Sequence, residues 1–398
     1  MKEKTCVECG YTLSQFNKTG MLGCPKCYES FKTEIHSIIK DVQFGNTCHT
    51  DDFFVNNNES NSNNIDLNLF EGNIITSRVR LARNLTNYPF RIKEYELAQD
   101  IAKEIADILF TIDDFTLFFM SDLTELRKQA LKERYLISKN LINNSSFGSV
   151  LLNKDENISV MINEEDIIRE QCIVHGFHLN NAYERLSTID NELCKSFDIA
   201  YNKDYGFLTA CPTNLGTGLR ASVMLFLPAL TKSGKIASSI NSLTNMGLTI
   251  RGIYGEGSSS EGCIYQVSNE ITLGMSSEEI VNLVEDTVLT ICKAERLETE
   301  RIFMSHELQT TDSAKKAYGV LSNAVLLGYD EFLNEISKLK LGAMLGYIDI
   351  DDIGKLDNLI VNVRPANISY VYGKQLSDLE RDICRADMVK KFLSENMR

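Results

Sequence analysis

"TSRVRLAR", residues 76–83, places three arginines within six positions of a chain whose formal net charge is −14. Polar and apolar residues alternate through Arg78, Val79, Arg80 and Leu81. That alternation suits a strand, in which successive side chains point to opposite faces. Arg78 and Arg80 then share a face, and two adjacent guanidiniums repel each other unless an anion lies between them. The stretch therefore predicts a sheet with a cationic, anion-binding face.

Further arginines stand in similar settings. Arg169 follows "NEEDII", Arg220 lies in "GTGLRAS", and Arg251 opens "RGIYGEG". Five guanidiniums in glycine- or carboxylate-rich segments match a nucleoside triphosphate, whose oxygens accept bidentate hydrogen bonds from the planar fork. The chain has neither the GxxxxGK[ST] phosphate loop nor the HRD and DFG motifs of protein kinases. Phosphate binding is thus expected from side chains, with Gly216 and Gly218 allowing close backbone approach.

The acidic balance excludes a general nucleic-acid or membrane-surface role. No apolar run is long enough to span a bilayer, and "MKEKTCVECG" has no signal core, so a cytoplasmic location is expected. Eleven cysteines in such a chain read as thiols, buried residues or metal ligands rather than a disulfide framework. "CVECGYTLSQFNKTGMLGCPKC" is a Cys-x2-Cys pair repeated across fourteen residues. Cys6, Cys9, Cys24 and Cys27 form the pattern of a closed, structural zinc site. "NNNESNSNN", residues 56–64, reads as linker. "ISVMIN" (158–163) and "TIRGIY" (249–254) read as strands, residues 179–200 carry helical periodicity, and Ser276 with Glu279 forms a capping box. After residue 306 nearly everything reads helical.

Taken together, "TSRVRLARN", "NEEDIIR", "CPTNLGTGLRASV" and "RGIYGEGSSSEG" resemble, in order, the motifs of the guanidino phosphotransferases, or phosphagen kinases. Within that family they are most similar to the bacterial protein-arginine kinases. Residues 1–50 separately resemble a zinc-binding segment of the activator of those kinases. The resemblance implies an α+β fold, a phosphagen-kinase-like antiparallel sheet flanked by helices, with an N-terminal zinc-ribbon-like module and a C-terminal helical domain. The implied divisions are a zinc module (1–50), a linker (51–70), a catalytic domain (71–305) and a helical domain for dimerisation and phosphoarginine binding (306–398).

The resemblance also assigns residues. ATP would be held by Thr76, Ser77, Arg78, Val79, Arg80, Tyr135, Arg169, Arg220, Ala221, Ser222, Val223, Met224, Arg251, Gly252, Ile253, Tyr254 and Gly255, with Mg²⁺ on its phosphates. Glu165 would be the base and Glu256 a second clamp on the acceptor. Cys211 would be a reactive cysteine, its thiolate favoured by nearby positive charge. "GEGSSSEG" reads as a closing loop. Two departures from the family stand out: Ile167 and Tyr135 occupy positions usually held by histidine. "RDICRAD" (381–387) resembles a phosphoarginine-binding motif of the bacterial enzymes, carried by Arg381, Asp382, Arg385 and Ala386. Arg381 and Arg385 are four apart, which on a helix makes one cationic face.

The implied activity is ATP-dependent phosphorylation of arginine side chains in proteins, marking them for a Clp-type protease in a stress response. The expected partners are proteins with exposed arginines, a second copy of the chain in a homodimer, and a Clp protease or chaperone. Animal phosphagen kinases carry a sizeable helical domain before the SRVR-type motif; here residues 51–70 alone separate the motif region from the zinc module, an arrangement open enough for a protein-borne arginine. Two alternatives stay open: a kinase of free arginine or another small guanidino compound, and a non-catalytic phosphoarginine-binding adaptor.

Overall fold

The computed structural model describes residues 3–43, 45, 70, 72–236, 243–244, 246–252 and 261–397. The N-terminal segment forms three short helices, α1 (Leu13–Thr19), α2 (Cys27–Ser30) and α3 (Lys32–Val42). Strand β1 (Ile74–Arg83) follows, then α4 (Tyr95–Leu109), β2 (Phe115–Phe119), α5 (Glu125–Glu133), α6 (Lys139–Asn143), β3 (Ser149–Asn153), β4 (Ile158–Ile162) and β5 (Ile168–His175). Next come α7 (Leu179–Ser196), the small hairpin β6 (Tyr201–Asn202) and β7 (Gly206–Phe207), β8 (Leu219–Phe226), α8 (Pro228–Lys232), β9 (Leu248–Gly252) and β10 (Ile264–Asn269). The remainder is helical: α9 (Ser277–Ile302), α10 (Glu307–Asn323), α11 (Tyr329–Met344), α12 (Gly354–Asn362), α13 (Pro365–Val371) and α14 (Asp378–Asn396).

Among the described residues, eight strands make one sheet in the order β2-β3-β4-β5-β1-β8-β10-β9, with antiparallel pairing throughout. β1 lies at its centre because both neighbours pair with it along most of its length. The alternation read in the sequence is realised there. Val79 and Leu81 are buried in the main core with α4, α7 and α9, while Arg78 and Arg80 point to the other face. The capping box also forms: the Ser276 hydroxyl accepts from Glu279 N at 3.1 Å and the Glu279 carboxylate accepts from Ser276 N at 2.8 Å, which starts α9 where the sequence places it.

The arginine-bearing face is covered at its two ends only. At one end α5, α6 and their loops pack Leu131, Leu136 and Leu141 on Val150, Leu152 and Met161. At the other, the C-terminal helices bury Ile75, Phe226 and Ile264. The strip between these covers is polar, so the fold leaves a cleft across the middle of the sheet.

The zinc module does not stand apart from the sheet domain. Phe16, Tyr28, Phe31, Ile35 and Ile39 share one apolar cluster with Phe90, Tyr205, Leu208, Ala210, Leu215 and Leu273. Leu22 N donates to Ala210 O at 2.8 Å, Phe90 N to Gly23 O at 2.9 Å, and Tyr28 OH to Thr209 O at 2.8 Å. Gln43, at the end of α3, gives Nε2 to Pro212 O and Thr272 Oγ1 at 3.0 Å each and takes Thr272 N at 2.9 Å.

Candidate active site

Five arginines from four strands of the sheet line the cleft. Arg80 on β1 stands directly opposite Arg220 on β8, and Arg78 opposite Ser222. Arg169 on β5 is level with Ala82, and Arg251 on β9 is level with Gln266 of β10. Arg78 donates to Gln266 Oε1 at 2.8 Å, Arg220 to Ser268 Oγ at 2.9 Å and Arg251 to Glu270 Oε1 at 3.2 Å. Arg80 Nε is buried and has no hydrogen-bond partner among the described residues. Burial, and then the charges of Arg78, Arg169 and Arg220, push the Arg80 guanidinium well below its ordinary value. Burial lowers Arg78 to about 10. Repulsion and an orphaned donor are what a cationic site shows before its anion arrives. A triphosphate fits that charge and those donors.

An expected outcome follows. Arg80→Gln should weaken ATP binding about tenfold or more, the scale of one lost charge-assisted hydrogen bond. The nucleotide-free protein should melt no lower than the wild type, because the substitution relieves repulsion. Melting curves with and without ATP check both signs; a less stable free protein with normal ATP affinity would contradict the assignment.

Beside this strip, the hairpin joining β4 to β5 carries the carboxylates. Asn163 turns it with φ 58°, and its amide is held by the backbone of Ile92 at 2.8 Å on both sides. Glu164 is buried, takes a hydrogen bond from Ser138 and accepts from Arg169 Nη1 at 3.1 Å. Although burial opposes it, the Arg169 charge leads in holding Glu164 below its usual value. Glu165 lies 3.9 Å from the same Arg169 nitrogen and accepts from Asn214 Nδ2 at 3.2 Å. Burial, reinforced by the charge of Asp166, raises Glu165 to about 7. A carboxylate titrating there suits a general base at neutral pH. Asp166 is a positioning group: its Oδ1 accepts Asn84 Nδ2 at 2.6 Å and Ala210 N at 2.7 Å, tying the hairpin to the segment that carries Cys211. Sequence reading missed Asn84 and Asp166 as joints; the final Asn of "TSRVRLARN" and the Asp of "NEED" were the available signals.

Several expectations need correction. The Cys211 thiol is raised by burial, with Glu165 and Asp166 adding to the rise, so the free protein favours the thiol over the expected thiolate. The charges acting on it are carboxylates. Gly216 and Gly218 answer chain packing rather than phosphate approach. A Cβ on Gly216 would lie 2.2 Å from Thr272 O, and one on Gly218 would lie 2.7 Å from Ala82 O. Arg83, the third arginine of the opening stretch, faces the core and pairs with Asp190 at 2.7 Å. Of the residues assigned to ATP by resemblance, Ser77, Val79, Ala221 and Val223 are buried on the opposite face, away from the cleft. Thr76, Ser222, Met224 and Tyr135 line a cavity of about 410 Å³ that begins at Arg78. Gly252 ends β9. Ile253, Tyr254, Gly255 and Glu256 lie outside the described residues, as does most of the expected linker.

Arg381 and Arg385 do share α14 but not one open face. Arg385 is buried and donates to Leu327 O at 2.7 Å, Val363 O at 3.0 Å and Asp382 Oδ1 at 2.7 Å. Arg381 reaches Leu376 O at 3.3 Å and Asp378. Ala386 is buried.

At the N-terminus the four cysteines converge. Their sulfurs lie within 4.8 Å of one another. Cys6–Cys24, Cys9–Cys27 and Cys24–Cys27 are 3.7, 3.5 and 3.9 Å apart. Zinc–sulfur bonds of about 2.3 Å require tetrahedral edges of about 3.8 Å, so Zn²⁺ fits as a closed structural ion.

Comparison with known proteins agrees with this geometry. Residues 96–298 match the ATP:guanido phosphotransferase C-terminal catalytic domain, residues 307–398 the protein-arginine kinase McsB C-terminal domain, and residues 4–50 the McsA central zinc-finger domain. A protein-arginine kinase of Caldanaerobacter subterraneus is 40% identical over 330 residues, 81% of this chain and 97% of that protein. One of Clostridium kluyveri is 42% identical over 331 residues, covering 82% and 96%. Among solved structures, the duplicated taurocyamine kinase of Schistosoma mansoni superposes with TM-score 0.64 at 25% identity, over 82% of this chain and 49% of that one. A lombricine kinase gives TM-score 0.58 at 23% identity, over 69% and 80%.

Proposed function

The chain belongs to the protein-arginine kinases of the ATP:guanido phosphotransferase family, and from that membership we propose that it transfers the γ-phosphoryl group of ATP to a guanidino nitrogen of arginine side chains in proteins. The observation that carries this reading is Arg169. It stands on the arginine face, and one of its nitrogens lies 3.1 Å from Glu164 and 3.9 Å from Glu165. That closeness supports a reading in which phosphate ligands and base belong to one site.

The triphosphate would lie against Arg78, Arg80, Arg169, Arg220 and Arg251, whose charges also stabilise the phosphoryl oxygens during transfer. Mg²⁺ would come with the nucleotide and would supply charge neutralisation of its phosphates. Glu165 takes the proton from the attacking nitrogen, and Asn214 orients that carboxylate. This proton transfer matters because arginine has a pKa of roughly 13, so a free neutral acceptor at pH 7 would cost about 8 kcal/mol. Glu256 would be the second clamp. An incoming guanidinium also supplies the positive charge that Cys211 lacks, lowering its thiol as substrate binds.

The finer biology is also part of the proposal: the four-part division of the chain, a cytoplasmic location, protein substrates destined for a Clp-type protease, and a phosphoarginine site at Arg381 and Asp382 with Arg385 holding the helix. An exposed apolar patch supports the homodimer. Val325, Leu326, Leu379 and Ile383 are exposed, and Leu327 N bonded to Asp382 O at 3.2 Å brings the two segments together. Sedimentation equilibrium reads the dimer. Among the described residues, no helix is long and apolar enough to cross a membrane.

The decisive assay offers the full-length protein γ-labelled ATP with Mg²⁺ and, separately, an unfolded arginine-rich protein or free arginine. Acid-labile label on the protein substrate is expected. Label on free arginine alone would make the chain a small-guanidino kinase, and no transfer to either would leave the adaptor reading.

A further inference from the structure

The cavity beginning at Arg78 is closed on its far side by the C-terminal helices. Its floor is the sheet, at Thr76, Ser222 and Met224, and one side is Tyr135. α12 and the turn into α13 add Asn358, Asn362 and Arg364 to the lining, Arg364 beside Tyr135. The volume, about 410 Å³, suits a nucleoside.

Tyr135 is held in an unusual pose. Its φ is 63°, a left-handed conformation that bulky residues rarely adopt. Such a pose persists only where its surroundings enforce it. Here Gln171 Nε2 donates to Tyr135 O at 2.7 Å, and Gln171 is the cross-strand neighbour of Arg80. From the other side Arg364 is buried, with its Cζ 4.6 Å from the Tyr135 ring centroid, and it donates to Tyr135 OH and Glu133 O. The Glu133 carboxylate in turn takes Ala366 N and Asn367 N at 2.9 Å each. These contacts join α5, the tyrosine and the start of α13 into one rigid corner.

Asn358 and Asn362 are one helical turn apart on α12, both exposed to the cavity. A primary amide offers one acceptor and two donors, which complements the donor–acceptor edge of adenine; guanine presents two acceptors on the corresponding groove edge.

We propose that the C-terminal helices complete the nucleotide site, Arg364 fixing Tyr135 as the platform for the purine ring and Asn358 with Asn362 selecting adenine over guanine. The proposal rests on the reading of ATP as phosphoryl donor. It makes the helical domain part of the ATP site, so a nucleotide bridges both halves of the molecule.

The test is equilibrium binding of ATP and GTP to the full-length protein and to Arg364→Ala, Arg364→Lys and the double variant Asn358→Ala/Asn362→Ala. Arg364→Ala should weaken ATP about tenfold, with the effect on KM for ATP rather than on kcat, and Arg364→Lys should recover part of the loss because a cation again sits over the ring. The double variant replaces exposed side chains and so keeps the fold, while its preference for ATP over GTP should fall by about tenfold, the scale of one well-placed base contact. Wild-type preference and affinity in both the alanine variant and the double variant would overturn the proposal alone. A wild-type protein that binds no ATP would overturn the kinase reading and this proposal together.

Discussion

Glu165→Gln should lower kcat by about a thousandfold, within the usual range for a removed general base, while leaving ATP affinity close to normal. The substitution keeps the length of the side chain and an oxygen for Asn214, now 3.2 Å from Glu165 Oε1. It removes the function proposed for this residue, acceptance of a proton. The pH dependence should agree. With the Glu165 carboxyl raised to about 7 by burial and by Asp166, kcat/KM should fall about tenfold per pH unit below that value and level off above it. Stability moves in the opposite direction. A carboxyl raised in the folded state holds its proton between its unfolded value, roughly 4.3, and about 7. The folded state then binds more protons than the unfolded one, and stability declines as pH rises through that window. Glu165→Gln should therefore melt higher than wild type at pH 8 and about equally at pH 4. Full activity in the variant, or a flat pH profile, would remove Glu165 from the mechanism.

Loss of the zinc site should have the second-largest effect. In Cys24→Ser/Cys27→Ser the ion loses two of four ligands, and a small module stapled by zinc does not keep its fold without it. The consequences reach the acceptor side of the cleft. Leu22 N would leave Ala210 O, whose own peptide nitrogen anchors Asp166 at 2.7 Å. Gln43 would release Pro212 O, within the segment bearing Cys211 and Asn214, and Thr272, whose hydroxyl donates to Thr213 O of the same segment at 3.1 Å. The expected result is at least a tenfold lower transfer rate, of the order that loss of positioning produces, with ATP affinity within about twofold because the arginine strip makes none of these contacts. A protein beginning at residue 65 should behave alike. Unchanged transfer by both would make the module a passenger as far as catalysis is concerned. Zinc release followed by absorbance of a chelating dye, alongside the rate, separates metal loss from general unfolding.

Much of the site was legible because its signals are local. Arg78 and Arg80 show their shared face through the period of two, and the Cys-x2-Cys pairs show their metal through spacing alone. "NEED" followed by Arg169 puts carboxylates and an arginine on one hairpin. Other features were misread because they depend on distant neighbours. Gly216 resembles a phosphate-loop glycine until Thr272 is found 2.2 Å from where its Cβ would be. Arg385 resembles an open cation until the carbonyls of Leu327 and Val363 surround it. Cys211 resembles an activated thiol until its neighbours prove to be Glu165 and Asp166.

By itself the sequence determined much of what the site is built from: a cationic strand face suited to a triphosphate and four thiolates spaced for zinc. Those follow from residue type and short-range periodicity, which need no knowledge of the rest of the molecule. Only the tertiary structure decided which groups act on one another. It seated the zinc module on residues 208–215 and brought Arg364 over Tyr135, 229 positions earlier in the chain. The physical reason is that burial and Coulomb interaction depend on distance in space, and the sequence records distance only along the chain.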